Sequence, residues 1–210
     1  MIRLVIADDH AIVRRGLRQL LEEESDVEIV ADVSNAADLM VILRKEVCHV
    51  LLLDMTMPQK HGLDILDEVK HEFPDLRVLI LSMHPEEHFG IRALKAGASG
   101  YLTKDSDPDN IIKAIRKIQS GGKFITPALA ELIELQLHHK QTENPHELLS
   151  SREFAVFLSL AQGKTNSDIA NELSLSIKTV NNYRMRALQK MNLKSNADVI
   201  TYAHRHNLVS

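Results

Sequence analysis

The sequence predicts two domains of different class, a doubly wound α/β domain on a five-stranded parallel sheet followed by a small all-α domain. Three observations carry that expectation. Apolar runs alternate with amphipathic stretches of helical period through residues 1–122. Four of those runs close on polar or charged residues, at the strand ends where open α/β sheets gather ligands. From residue 147 onward the strand pattern stops and only helical periods remain. With 210 residues, 44% of them hydrophobic, the chain can fill two cores.

Taken in order, Ile2-Arg3-Leu4-Val5-Ile6-Ala7 reads as the first strand and runs into Asp8-Asp9. Ala11 to Glu24 sets Ile12, Val13, Leu17, Leu20 and Leu21 at helical spacing, and Val27 to Val33 alternates as a second strand. A helix over Ala36 to Glu46 leads to Val50-Leu51-Leu52-Leu53-Asp54, where an unbroken Val and Leu run implies burial on both faces. A helix from Leu63 to Phe73, a strand from Val78 to Ser82, a helix from Glu86 to Ala96 and the short strand Gly100 to Thr103 follow. The last helix of the domain takes Asp107 as N-cap, Pro108 at its first position and Gly121 past its end.

Asp8, Asp9, Asp54, Ser82 and Lys104 therefore stand at the ends of strands. Any one of them alone would be an ordinary loop-capping residue. Three carboxylates brought together repel one another unless a cation neutralises them, and hard oxygen ligands suit Mg2+. Asp54 can then act as a carboxylate nucleophile toward phosphorus, with the Lys104 ammonium and the Ser82 hydroxyl meeting the phosphoryl oxygens.

Asp8-Asp9, Asp54-Met55-Thr56-Met57-Pro58, Gly62, Ser82, Ala96-Gly97-Ala98-Ser99-Gly100-Tyr101 and Lys104 together resemble the receiver domain of bacterial two-component response regulators. The resemblance covers residues 1–122 and implies a flavodoxin-like sheet of order 2-1-3-4-5. It implies that Asp54 takes a phosphoryl group from a sensor histidine kinase or a phosphotransfer domain. It further implies that Asp8, Asp9, Asp54 and the Thr56 backbone carbonyl hold Mg2+. Ser82 and Tyr101 match the switch pair, in which the hydroxyl moves to the phosphoryl group and the tyrosine turns inward.

Several other patterns carry less. His84-Pro85-Glu86-Glu87-His88 has the H-x-x-E-H spacing of a zinc protease, but Pro85 places His84 in the loop before the helix, off the face His88 occupies. Gly163-Lys164-Thr165 lacks the first glycine of a P-loop, because position 158 is Leu. Asp54-Met55-Thr56 lacks the second aspartate that haloacid-dehalogenase-type phosphatases use as a general acid. The lone Cys48 sits before a buried strand and reads as a packing residue.

Residues 123–146 read as a linker with a short helix opened by Thr126-Pro127 and carrying Leu129, Leu132, Ile133 and Leu137, then a polar tether from Lys140 to His146. His138-His139 reads as a solvated helix end. In residues 147–210, Phe154 to Leu160 form a first helix, Thr165 and Asp168 a capping box opening a second, and Ser176 caps a third that runs to Met191. Val199, Ile200 and Ala203 form a stripe on a fourth, either core or dimer contact. Charge divides the chain: residues 1–146 hold 17 basic against 24 acidic side chains, residues 147–210 hold 8 against 5. Leu173 to Ala197 contains no acid and five bases, which suits a helix-turn-helix facing DNA, the alternative being a small basic helical bundle with no nucleic acid.

Leu149-Ser150-Ser151-Arg152-Glu153, Leu160-Ala161-Gln162-Gly163, Asn166-Ser167-Asp168-Ile169-Ala170, Leu175-Ser176-Ile177-Lys178-Thr179-Val180 and Lys190-Met191-Asn192-Leu193 resemble the LuxR-type DNA-binding domain. Ala155 departs from the glutamate common there. Receiver plus this domain is the arrangement of the NarL/FixJ class of transcriptional regulators. The resemblance implies that Asn181, Asn182 and Met185 read bases, Asn suiting adenine and Met a thymine methyl. Lys178, Thr179, Arg184, Arg186 and Lys190 suit phosphates. The expected function is a phosphorylation-controlled, non-enzymatic DNA-binding regulator in the cytoplasm. Its expected partners are a sensor kinase, double-stranded promoter DNA, a second copy of the chain and RNA polymerase, with no membrane. The competing expectation is a phosphorylation-independent regulator, or an adaptor that uses the receiver only for docking.

Overall fold

The computed structural model describes residues 1–58, 60–138 and 144–209. The chain forms two compact units, Met1–Leu137 and His138–Ser210. In the first, strands β1 (Ile2–Ala7), β2 (Val27–Val33), β3 (Val50–Asp54), β4 (Arg77–Ser82) and β5 (Gly100–Thr103) alternate with helices α1 (Ala11–Glu22), α2 (Ala36–Lys45), α3 (Gly62–Glu72), α4 (Glu86–Lys95) and α5 (Pro108–Gln119). All pairings are parallel and the order is β2-β1-β3-β4-β5. Every residue of the central β3 is buried, as its unbroken apolar run requires.

Strand alternation sorts the core into two layers. Leu4, Ile6, Val50, Leu52, Leu79 and Leu81 pack with Leu17 and Leu21 of α1 and Ile111, Ile115 and Ile118 of α5. The intervening Leu51, Leu53, Val78 and Ile80 are equally buried on the other face. Ile12, expected on the apolar stripe of α1, is 85% exposed. Val13, Leu17, Leu20 and Leu21 already complete the stripe, and a residue one step before Val13 points about 100° away from it. Register places the site: Ala7 pairs with Leu53, Asp54 with Leu81 and Ser82 with Thr103, so the carboxyl ends of four strands lie level.

Helix α6 (Pro127–His138) belongs to the first compact unit. Leu129 is fully buried over Gly90 of α4, where a Cβ would come within 2.7 Å of its Cδ1. Thr126 Oγ1 donates to Glu86 Oε2 at 2.6 Å and accepts from the Leu129 amide at 3.1 Å. The segment expected to be a linker helix is thus packed against α4 at its first turn. The His138-His139 pair and the polar run Lys140 to Glu143 lie outside the described residues, apart from the backbone of His138.

In the second unit a 3-10 turn (Pro145–Leu148) precedes α7 (Ser151–Ala161), α8 (Asn166–Glu172), α9 (Ile177–Lys190) and α10 (Asn196–Arg205). Ser150 with Glu153, Thr165 with Asp168, and Ser195 with Asp198 form capping boxes that start α7, α8 and α10. His146, expected in the tether, stands instead beside Phe154 with its Nδ1 3.0 Å from the Tyr202 hydroxyl. Val199 and Ala203 are buried and are core. Among the described residues, no helix is long and apolar enough to cross a membrane.

Cys48 packs just ahead of β3 with Sγ donating to the Val50 carbonyl at 3.2 Å, and burial pushes its thiol up to about 12. Ellman's reagent at pH 8 should therefore modify the native thiol about a hundredfold more slowly than the urea-unfolded one. Equal rates would mean that Cys48 is open to solvent.

Candidate phosphoryl-acceptor site and DNA-facing helix

Asp54 closes β3 and is 2% exposed. Asp8 and Asp9 follow β1, and Lys104 follows β5. The Lys104 ammonium, its side chain 6% exposed, lies 2.7 Å from Asp8 Oδ2 and 3.0 Å from Asp54 Oδ2. Burial pushes the Asp54 carboxyl up to about 6, and the Asp8 charge adds to it. The Lys104 ammonium and the Thr56 amide oppose both. The pocket thus holds buried carboxylates that one lysine neutralises only in part.

Three of its buried oxygens, Asp8 Oδ2, Asp9 Oδ1 and Asp54 Oδ2, receive no directed hydrogen bond among the described residues. Two of them share the single Lys104 ammonium, and the third lies beside His10. Such oxygens suit a small hard cation, so the residues present fit Mg2+. The sequence reading missed His10, whose Nδ1 lies 2.7 Å from Asp9 Oδ1, 3.3 Å from Asp8 Oδ1 and 3.9 Å from Asp54 Oδ2. Adjacency to Asp8-Asp9 was its only signal.

Ser82, at the end of β4, is fully buried and its Oγ accepts from the His84 amide at 3.0 Å. Tyr101 is also 0% exposed: its hydroxyl donates to the His84 carbonyl at 2.8 Å and lies within reach of Ser82, while burial raises its phenol. Tyr101, expected from the resemblance to turn inward on phosphorylation, is buried here. Pro85 is the N-cap of α4, so His84 precedes the helix and does not share a face of it with His88. Gly62 shapes the acceptor loop. Its amide donates to the Met55 carbonyl at 2.8 Å, and a Cβ there would lie 2.5 Å from the Asp54 carbonyl oxygen.

In the second unit α9 separates two stripes. Val180, Ala187 and Met191 just past its end are buried, while Lys178, Asn181, Asn182, Met185 and Arg186 are exposed, Met185 at 61%. Thr179 and Arg184 are half-buried. Arg184 Nε donates to Asn196 Oδ1 at 2.8 Å, and Thr179 Oγ1 lies 2.8 Å from Ser176 Oγ.

Lys190 differs from the other bases. Its Nζ donates to Glu153 Oε2 at 2.6 Å, and Glu153 is 3% exposed. Burial pushes Glu153 up, but the Lys190 ammonium and the Ser150 donors prevail and hold it below the usual range. Lys190, read from sequence as a phosphate contact, also ties α9 to α7, with its side chain still 42% exposed.

Two substitutions test these packings. Gly62→Ala should cost about 1 to 3 kcal/mol of first-domain stability in urea unfolding, because the methyl meets backbone that cannot step aside. Lys190→Ala should lower second-domain stability by about 1 to 2 kcal/mol at pH 7 by stranding the Glu153 charge. A carboxyl held low in the folded state contributes stability that fades as pH falls through its folded value, so the variant's deficit should shrink on acidification. A deficit independent of pH would argue for lost packing alone.

Residues 4–116 match the response regulator receiver domain family, and residues 147–203 match the luxR family of bacterial regulatory proteins. The chain is similar to response regulator UvrY of Escherichia coli, 34% identical over 209 residues that cover 99% of this chain and 96% of UvrY. It is also similar to oxygen regulatory protein NreC of Staphylococcus epidermidis, 35% identical over 218 residues covering 99% of each. Among solved structures, RcsB of Salmonella enterica serovar Typhimurium bound to promoter rprA with the phosphomimetic BeF3- aligns with a TM-score of 0.66 and 27% identity, over 97% of this chain and 99% of that one. Both family matches run through the residues that build the acid pocket and the exposed helix, and the relatives align from end to end. The chain therefore belongs to the two-component response regulators of the NarL/FixJ class, which join a receiver domain to a LuxR-type DNA-binding domain.

Proposed function

We propose that Asp54 accepts a phosphoryl group from the phosphohistidine of a sensor kinase or phosphotransfer domain, and that this promotes dimerisation and promoter binding by the second domain in the cytoplasm. The observation that carries the reading is Asp54 itself, 2% exposed, pushed up to about 6, and held 3.0 Å from Lys104. An Asp54 oxygen forms the bond to phosphorus as the histidine nitrogen-phosphorus bond breaks, and the electron pair returns to the imidazole. Asp8, Asp9, Asp54 and the Thr56 carbonyl would hold Mg2+, which supplies positive charge to the transferring oxygens. Lys104 meets the same oxygens, and Ser82 is placed to donate to them. No turnover of an external substrate is required of this pocket, so the domain serves as a switch.

A route leads from the pocket to the end of the receiver. Ser82 and Tyr101 both bond to the backbone of His84, and Glu86 two residues later holds Thr126 at the start of α6. Movement of the Ser82 hydroxyl toward a phosphoryl group would pull this loop and loosen α6, the last element before the second unit. We retain 1–122 as the receiver, 123–146 as the connection through which this movement passes, and 147–210 as the DNA-binding domain. There Asn181, Asn182 and Met185 would face base edges, with Lys178, Thr179, Arg184 and Arg186 toward phosphates. Lys190, already paired, would add less attraction than the others.

Incubation with acetyl phosphate and Mg2+ should add one phosphoryl mass to the wild type and none to Asp54→Asn, with a shift toward dimer in light scattering. No gain, with unchanged DNA binding, would favour the phosphorylation-independent reading. For the route, Gly90→Ala should drive Leu129 from its seat and raise amide exchange across α6 while leaving labelling of Asp54 intact. Unchanged exchange would remove α6 from the path.

A further inference from the structure

The corner between α8 and α9 holds a side-chain pair whose polarity bears on what α9 can read. Asn166, the first residue of α8, donates its amide nitrogen to Oδ1 of Asn181 on α9 at 2.8 Å. Asn181 is exposed and Asn166 half-buried, so the pair lies at the surface. An asparagine amide has an accepting end and a donating end. With its oxygen drawn toward α8, Asn181 turns its NH2 group outward. Asn182, by contrast, has no side-chain hydrogen bond among the described residues and keeps both ends available.

We propose that Asn166 is a specificity-determining residue that touches no base: it orients the Asn181 amide so that this position presents only a donor to the major groove. The proposal rests on α9 being the DNA-reading helix. In that groove guanine offers N7 and O6, adenine N7, and thymine O4 as acceptors, whereas cytosine offers only its N4 donor. A donor-only Asn181 therefore accepts guanine, thymine or adenine and rejects cytosine. Asn182 remains the residue able to bond bidentately to adenine. The two adjacent asparagines, chemically identical in sequence, thus ask different questions of the operator.

The sign of the effect can be reversed. A carboxylate at position 166 accepts and cannot donate, so in Asn166→Asp the Asn181 amide turns over, bonds α8 through its NH2, and presents its oxygen outward. That oxygen favours cytosine N4 or adenine N6. The substitution puts an acid in the first turn of α8, where the helix dipole tolerates it.

The test is selection from a randomised duplex pool with the full chain, treated with acetyl phosphate and Mg2+ and also untreated, for the wild type, Asn166→Asp and Asn181→Ala. Asn181→Ala marks the half-site position concerned by flattening its preference. At that position the wild type should disfavour cytosine by about tenfold, and Asn166→Asp should raise cytosine and adenine over guanine and thymine by a similar factor. Other positions should keep their order, although the added negative charge lowers affinity for every duplex. A uniform loss with no change of preference at that position would overturn the proposal. No enrichment of any sequence by the wild type under either condition would overturn the DNA-reading assignment, and this inference with it.

Discussion

The receiver depends on one buried compensation of charge, the Lys104 ammonium between Asp8 and Asp54. Two carboxylates at 2% exposure cost several kcal/mol in desolvation and repel one another. A single ammonium offsets part of this and leaves the pocket short of positive charge. Burial and the Asp8 charge together raise Asp54, and the partly neutralised carboxylates form an oxygen-rich site of a kind that suits a small hard cation. The sheet exists in this register to hold the arrangement. β1, β3 and β5 each deliver one of its members, and β4 delivers Ser82 to the same level. Gly62 adds a local constraint, because its missing side chain lets the first turn of α3 close onto the Asp54 carbonyl.

The second domain solves a different problem. Short helices carry little stability of their own, so its structure leans on caps and on tertiary struts. Three capping boxes begin three of its helices, and the ion pair between Glu153 and Lys190 fastens α9 to α7. One base of the acid-free run thereby also serves the packing of the domain. Those that remain, with the exposed Met185, form the stripe opposite Val180 and Ala187. Stability and recognition thus draw on the same helix from opposite sides.

Much of this was legible in the chain. The apolar runs, the Asp107-Pro108 helix start, the capping box at Thr165 and the strand-end polar residues are signals read within a few neighbours, and the structure has the elements they predict. Less local matters were not. Ile12 satisfies helical spacing but faces solvent, because the stripe was already complete without it. His10 entered the acid pocket through the fold of the β1–α1 loop, on which periodicity is silent. Leu129 belonged to an apparent linker, yet the absence of a side chain at Gly90 gives it a seat on α4.

The sequence by itself determined the two fold classes, the order of elements and the acidic and basic halves, because each follows from composition and spacing along the chain. The roles expected of individual residues rested on the resemblance to a family as well. Only the tertiary structure decided which of those residues are free to act. It tied Lys190 to Glu153 across 37 positions, set the Tyr101 hydroxyl on His84, and turned Asn181 toward Asn166. Hydrogen bonds and ion pairs between remote residues depend on distances of a few tenths of an ångström. Those distances are set when whole layers pack, and no pattern of neighbours in the chain encodes them.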